Sequence, residues 1–412
     1  MPYPMIARRS VLKLLGAGVI ASPVPSCAPP APSEPFTRLK GPWVHFMSPS
    51  TAILRFETSE DVEAAVFLEG PGGRFIAFTE RSIATLDLAW GEPVGEVIPD
   101  ENGDHVLHSV VLEGLAPNSE ITWEIRPSPD EVVQGSFRTS PSVDDPVRIG
   151  WIADTMFPIS AEIAATLAAH EPQLVVHGGD VQYRQSPFCT WNSFFSAMTP
   201  LTRQAAVHVC FGNHEVDDPL EPEQYFERLF AGQGGSGHAR FHAVEWGGLV
   251  FVCLDSESGG LEDPSSPQGR WARQVLTDAT DRGLRPILAM HHPMYTLSKH
   301  APLDDLALRE QVHALATEFG CKLVLSGHTH GHEHFEVDGV HYWVDGGGGA
   351  LLYDLDEFAE DVVARRPDEP LLRQRHDRSF GATVIDYANG YLELTRIDRD
   401  GTPSDIVEIA LT

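Results

Sequence analysis

Four histidines fall within seven residues in Gly327-His328-Thr329-His330-Gly331-His332-Glu333-His334, directly after the apolar run Cys321–Leu325. Neutral imidazole is the commonest metal ligand among side chains. Residues i and i+2 of an extended chain share a side, and a Gly before such a pair lets the backbone curve closely around an ion. One such cluster alone reads equally as a solvated turn, but similar punctuation follows other apolar runs. Asp154 closes Arg148–Ala153, and Gly178-Gly179-Asp180-Val181-Gln182-Tyr183 follows Leu174–His177. Gly212-Asn213-His214-Glu215 closes Val207–Phe211, and His291-His292-Pro293 follows Pro286–Met290. Singly, Asp154 could cap a helix, Asn213 could hold a turn and His291 could be a core histidine. Together, in this order, they call for metal ions.

The elements that must position these groups are short. From Val147 onward β-type runs, including Leu249–Leu254 and Lys322–Leu325, alternate with helical patterns such as Ala161–Ala169, Arg270–Arg282 and Leu306–Phe319. Such alternation predicts an α/β architecture with chemistry at the carboxyl ends of strands. Residues 36–140 read instead as all-β, with strand patterns at Ala52–Thr58, Ala64–Glu69, Ile121–Ile125 and Gly135–Thr139 punctuated by turns such as Pro71-Gly72-Gly73. That spacing predicts a small β-sandwich. The acidic stretch Pro141–Pro146 marks the boundary, so the expected division is 36–140 and 147–412. Residues 351–380 are charged, broken by Arg365-Arg366-Pro367, and carry no legible role.

A chain of 412 residues, 42% hydrophobic and with a formal charge of −30, reads as globular. The acidity argues against nucleic-acid binding, which depends on Lys and Arg neutralising phosphates; an anionic substrate must be attracted locally, as bound metal ions would do. Ala7-Arg8-Arg9-Ser10-Val11-Leu12-Lys13 followed by Leu14–Ile20 resembles a twin-arginine export signal, so residues 1–35 are expected to be a signal peptide and Pro-rich linker on an exported protein. The apolar run is too short to span a bilayer, and no other segment could. Val24-Pro25-Ser26-Cys27 departs from a lipobox, leaving a lipid anchor at Cys27 as an open alternative. Of the other cysteines, Cys210 and Cys253 sit in strand-like runs and read as packing, while a Cys189–Cys321 bridge stays open.

The set of strand-end motifs from Val147 to about Ala350 resembles the calcineurin-like metallophosphoesterases, and within them the purple acid phosphatases. Much of the wider superfamily has a histidine two residues after the first aspartate, where this chain has Met156. The purple enzymes instead use a tyrosine three residues after the second aspartate, where Tyr183 stands. Ala153-Asp154 replaces the usual Gly-Asp, which keeps the ligand and alters the turn. The resemblance implies two mixed β-sheets flanked by helices (αββα) behind an N-terminal β-sandwich. It implies one metal held by Asp154, Asp180, Tyr183 and His330, and a second held by Asp180, Asn213, His291 and His328. Phenolate and carboxylates suit Fe³⁺; imidazoles and an amide oxygen suit Fe²⁺, Zn²⁺ or Mn²⁺. Such a pair activates a hydroxide for attack at phosphorus. The activity implied is acid phosphatase, on small phosphomonoesters. His214 matches the family's outer-sphere histidine, and His300, nine residues after His291, a substrate-binding one; each is a candidate proton donor. His332 and His334 stand where plant members carry Tyr and Arg, which places His332 at the expected substrate pocket. His177, His208 and His292 read as packing or outer-sphere groups. Gly114-Leu115-Ala116-Pro117-Asn118 and Phe137-Arg138-Thr139 resemble a fibronectin type III domain whose usual turn tyrosine is replaced by Ile121 or Trp123. The alternatives on the same core are a phosphodiesterase or phospholipid-cleaving enzyme and an alkaline phosphatase. A different class of reading is a non-catalytic surface module acting through its sandwich.

Overall fold

The computed structural model describes residues 39–411, apart from 60, 87–102, 129, 182, 184–190, 216–223, 236, 258–259 and 302–305. The expected export segment, Cys27 and Cys189 lie outside the described residues.

The N-terminal part is β-rich. Its strands are β1 (Leu39–Ser48), β2 (Thr51–Thr58), β3 (Ala65–Gly70), β4 (Gly73–Ala77), β5 (Glu80–Leu86), β6 (Gly103–Glu113), β7 (Glu120–Ser128) and β8 (Glu131–Arg138). They form two antiparallel sheets, ordered β1-β2-β6-β5 and β4-β3-β7-β8. Period-two burial organises β7, where Ile121, Trp123 and Ile125 point inward. β2 breaks that alternation: nearly all of it is buried, because residues from the following half cover its outer face. There the Arg55 guanidinium donates to the Leu229 carbonyl at 2.8 Å.

The second part is the α/β half. Its strands are β9 (Val147–Ile152), β10 (Leu174–His177), β11 (Ala206–Val209), β12 (His242–Trp246), β13 (Leu249–Leu254), β14 (Arg285–Met290) and β15 (Leu323–Ser326). β16 (His332–Val337), β17 (Val340–Asp345), β18 (Arg373–Asp377), β19 (Gly381–Ala388), β20 (Tyr391–Asp398) and β21 (Pro403–Ala410) complete it. Two mixed sheets result, ordered β11-β10-β9-β19-β20-β21 and β12-β13-β14-β15-β17-β16-β18. Their parallel cores, β9–β11 and β13–β14–β15–β17, are the apolar runs legible in the sequence. Crossover helices Ile159–Ala168 and Trp191–Thr202 cover one sheet, and Pro267–Asp281 and Ala307–Glu318 cover the other. The 267–281 helix begins where its sequence says it should: Ser266 Oγ accepts from the Gly269 N–H at 2.9 Å, and Pro267 occupies the first position. Trp151 Nε1 donates to the Asp345 carbonyl (3.1 Å) and Trp343 Nε1 to Thr383 Oγ1 (2.8 Å), which ties sheet to sheet.

The boundary segment 141–146 does not separate two cores. Val44, Phe46, Phe137, Trp151, Trp246 and Trp343 belong to one continuous apolar cluster. Phe46 packs edge-on against Trp246 with centroids 5.2 Å apart, and its N–H donates to His208 Nε2 at 3.0 Å. Residues 36–412 accordingly form one compact unit. Cys210, Cys253 and Cys321 are buried free thiols. No described helix is long and apolar enough to cross a membrane.

Candidate metal centre

Five of the parallel strands each feed a loop, and these loops meet. Asp154 follows β9, Asp180 follows β10, Asn213 opens a short turn (Asn213–Glu215) after β11, and His291 directly follows β14. His328 and His330 lie in the loop between β15 and β16, not in a strand. Their common direction comes from a tight turn, in which the Thr329 N–H donates to the Gly327 carbonyl at 2.7 Å. Asp154, Asp180 and His328 have φ of 58°, 54° and 65°, in the left-handed region. Non-glycine residues there cost on the order of 1–3 kcal/mol each and gather at functional sites. Neighbouring glycines make the room: a Cβ on Gly212 would stand 2.3 Å from Asp180 Oδ1, and one on Gly327 2.5 Å from Asp154 Oδ2.

The polar atoms converge in two groups. In the first, the Tyr183 hydroxyl lies 3.0 Å from Asp154 Oδ1 and 3.2 Å from His330 Nε2, with His330 Nε2 3.4 Å from Asp154 Oδ1. In the second, His291 Nε2 lies 3.0 Å from Asn213 Oδ1, 3.1 Å from His328 Nδ1 and 3.3 Å from Asp180 Oδ2. Among the described residues, Asp180, His291 and His328 form the one His, Cys, Asp or Glu trio whose ligand atoms all lie within 4.8 Å.

These donor sets fit cations. His291 Nδ1 donates to the Gly178 carbonyl (2.9 Å) and His330 Nδ1 to the Leu351 carbonyl (2.8 Å). In each ring Nε2 is thereby the nitrogen turned toward the cluster, the one whose lone pair would bind a cation once it carries no proton. Lone pairs and carboxylate oxygens this close repel unless positive charge lies between them. The electrostatics agree. Burial alone would depress the His291 imidazolium, yet the Asp180 carboxylate outweighs it and lifts the group to about 10, so a proton on Nε2 is the positive charge that a bound cation would displace. Asp180 is held below the usual carboxylate range by His291 and His214 despite its burial. Burial, Asp154 and Asp180 push the Tyr183 phenol well above its ordinary value, so a cation is needed to make it a phenolate ligand.

His214 lies at the edge of the pocket. Its ring is 4.2 Å from that of Tyr183, its Nε2 is 3.9 Å from Asp180 Oδ2, and its N–H donates to Asp180 Oδ1 at 2.9 Å. The His300 ring packs 4.0 Å from that of His328, with Nε2 enclosed and unpartnered; burial and then Lys299 lower its pKa to about 4. His332 is not brought to the pocket. It is fully buried, Nδ1 donating to the Val344 carbonyl (3.0 Å) and Nε2 paired with Asp405 (2.9 Å). Gly331, at φ 150°, breaks the two-residue period, so the side chains of β16 restart on another face. His334, likewise buried, pairs with His341 at 2.9 Å. His177 contacts Thr155 Oγ1 (3.1 Å), and His292 contacts Ser256 Oγ (3.0 Å).

Three contributing residues escaped the sequence reading. Glu215 is buried, and its carboxylate accepts from the N–H groups of Asp180, Val181 and Gly212 at 2.9, 3.0 and 2.8 Å. It clamps two ligand loops together; its place in Asn213-His214-Glu215 was the available signal. Glu333 accepts from Thr296 Oγ1, from the Leu297 N–H (3.2 Å) and from Arg373 (3.0 Å), anchoring the loop that leads to His300. Tyr353 stacks on His330 with centroids 3.9 Å apart and planes 20° apart. Nothing in the local sequence marks it.

The chain is similar to known proteins in sequence and in fold. Residues 147–332 match the calcineurin-like phosphoesterase family model. Probable purple acid phosphatase 20 of Arabidopsis thaliana is 22% identical over 306 residues, covering 66% of this chain and 68% of that protein. Probable inactive purple acid phosphatase 9 of the same plant is 25% identical over 204 residues, covering 41% of this chain but only 31% of that protein's length. Among solved structures, purple acid phosphatase PPD1 from yellow lupin (Lupinus luteus) superposes with a TM-score of 0.66 at 16% identity, covering 90% of this chain and 74% of that one. The structure of PhoD gives 0.57 at 12% identity, covering 92% and 90%. Those two likenesses concern the fold.

Proposed function

We propose that this calcineurin-like phosphoesterase, akin to the purple acid phosphatases, hydrolyses small phosphate monoesters at a binuclear metal centre. The observation that carries the reading is the convergence of two acceptor groups, Asp154–Tyr183–His330 and Asp180–Asn213–His291–His328, at five strand ends. Asp154, Tyr183 and His330 would hold Fe³⁺; Asn213, His291 and His328 would hold Fe²⁺, Zn²⁺ or Mn²⁺; and Asp180 would serve both ions. Bound there, the pair supplies Lewis acidity and lowers the pKa of a coordinated water. The chain's own groups do the rest. Glu215 and the glycines fix the ligand loops. His214, its side chain 24% exposed, would orient the phosphate and pass a proton from Nε2 to the departing oxygen. His300 flanks the same mouth from the side of His328. The twin-arginine-type N-terminus would export the folded, metal-loaded enzyme, and the fibronectin III-like sandwich would brace it.

The test pairs metal analysis with monoester and diester assays on purified protein. The expected result is two metal ions per chain and preferential monoester hydrolysis, with Asp180→Asn or His328→Ala losing metal and nearly all turnover. Either variant retaining wild-type metal content and turnover would remove the assignment. Replacing His214 or His300 by Asn should slow alkyl phosphates far more than aryl phosphates, because an aryl oxide departs without a proton. Equal losses would leave these histidines a binding role only.

A further inference from the structure

The stretch after β17 crosses the mouth of the site and is pinned to it residue by residue. The Ala350 N–H donates to the Asp154 carbonyl (3.0 Å), Leu351 accepts from His330 Nδ1 (2.8 Å), and the Tyr353 N–H donates to the His330 carbonyl (2.9 Å). Tyr353 therefore cannot leave His330. One face of its ring is taken by that imidazole at 3.9 Å; the Lys299 ammonium sits 3.7 Å from the ring centroid, so it must occupy the other face. Lys299 is exposed and forms no ion pair among the described residues. It is chained to the neighbouring His300, whose ring touches those of His328 and Tyr353. The other cations of this rim are committed: Arg373 to Glu333 and Asp356, and Arg378 to the Leu352 carbonyl at 3.2 Å. In a chain of net charge −30, one held ammonium thus stands a ring's width beyond a metal-ligand histidine.

We propose that Lys299, seated on Tyr353, is a leaving-group subsite that selects phosphate monoesters whose leaving group carries its own anion, a carboxylate or a second phosphate. The inference rests on the phosphatase reading above. The phosphoryl group being transferred belongs among the metal ligands. An anion elsewhere on the substrate has no partner there, and meets Lys299 at the rim. Tyr353 provides rigidity: a lysine stem is otherwise free to wander, and a cation–π seat reduces that freedom.

The experiment compares glycerol 3-phosphate with 3-phosphoglycerate, which differ in a carboxylate on the leaving group, and adds glycerol 1,3-bisphosphate, which has no carboxylate, as the second-phosphate arm. The wild type should favour the anionic esters by about tenfold in kcat/KM, the scale of one partly desolvated charge pair. Lys299→Ala should lose that preference mainly through KM, with far less effect on glycerol 3-phosphate. Lys299→Arg should retain it, and Tyr353→Leu should weaken it. Raising ionic strength should erode it in the wild type. A preference confined to the carboxylate or to the bisphosphate would identify the anion recognised. An unchanged preference in Lys299→Ala, or equal losses on all three esters, overturns the subsite while leaving the phosphatase reading intact. A wild type that hydrolyses none of them overturns that reading and this one together.

Discussion

Glu215 offers the sharpest test of how the site is built. One of its oxygens accepts from two backbone N–H groups, Asp180 (2.9 Å) and Gly212 (2.8 Å), and the other accepts from Val181 (3.0 Å). Burial and Asp180 push its carboxyl up to about 8, while the Gly212 and Asp180 N–H groups pull it back. All three partners are donors, so the geometry calls for the ionised form. Glu215→Gln keeps an oxygen for two of them but turns an NH₂ toward the Val181 N–H. One charge-assisted hydrogen bond, about 1.5–3 kcal/mol, is lost outright. The remaining two weaken because their acceptor becomes neutral, so a total near 3 kcal/mol is expected. Thermal unfolding followed by circular dichroism should show a fall of several degrees. Because Glu215 ties the loop of Asp180 to that of Asn213, metal affinity measured by chelator competition should drop about 10- to 100-fold. A variant that keeps its Tm to within about a degree and its metal affinity to within about twofold would refute the clamp.

Other outcomes follow from single contacts. Gly212→Ala would drive a Cβ to 2.3 Å from Asp180 Oδ1 and 2.5 Å from the Asp180 backbone nitrogen; metal content should fall even though no ligand is changed. Tyr183→Phe should abolish the visible charge-transfer band expected of ferric-loaded protein while His291, His328 and His330 still bind metal. A colourless wild type with stoichiometric Fe³⁺ would show that Tyr183 is not a ligand. Glu57 is buried; burial raises its pKa, but Lys40, His105 and Arg228 outweigh that and hold it below its ordinary 4.5. Because the folded value is the lower, its stabilisation is complete above about pH 4.5 and is lost as pH falls further. Urea unfolding should show Glu57→Gln less stable than wild type at pH 7, by about 3–5 kcal/mol, with a smaller loss between pH 5 and 3. Parallel acid profiles would contradict it.

What could be read in the sequence divides along a physical line. The candidate ligands Asp154, Asp180, Asn213, His291 and the pair His328–His330 were legible because each comes shortly after a wholly or nearly wholly buried parallel strand, and such strands are plain apolar runs. Tyr353 was not, since its role depends on a turn that brings it back over His330, and no local pattern encodes that return. The antiparallel addition of β19 beside β9 pairs Ile385 with Ile149 across most of the domain, which periodicity cannot reveal. His332 is expected at the pocket only because it stands where plant members carry Tyr; a resemblance of position says nothing of which way the ring turns, and here it turns inward to the Val344 carbonyl and Asp405. The sandwich strands β1, β4 and β5 went unread for another reason. β4 is exposed along most of its length, and β1 carries Gly41-Pro42 within its first half, so neither shows clean alternation.

The continuous core through Phe46, Trp246 and Trp151 has a thermodynamic consequence. A ligand that binds only the native state stabilises whatever unfolds with its site, by about 4 kcal/mol at a thousandfold excess over Kd. Here the sandwich shares its interior with the strands that lead to the candidate metal ligands, and β1 reaches β11 through the Phe46–His208 hydrogen bond. Metal occupancy is therefore linked to the melting of residues far from any ligand. Chelation should lower a single transition reported equally by tryptophans in the sandwich, such as Trp123, and by Trp151 and Trp343 between the two mixed sheets.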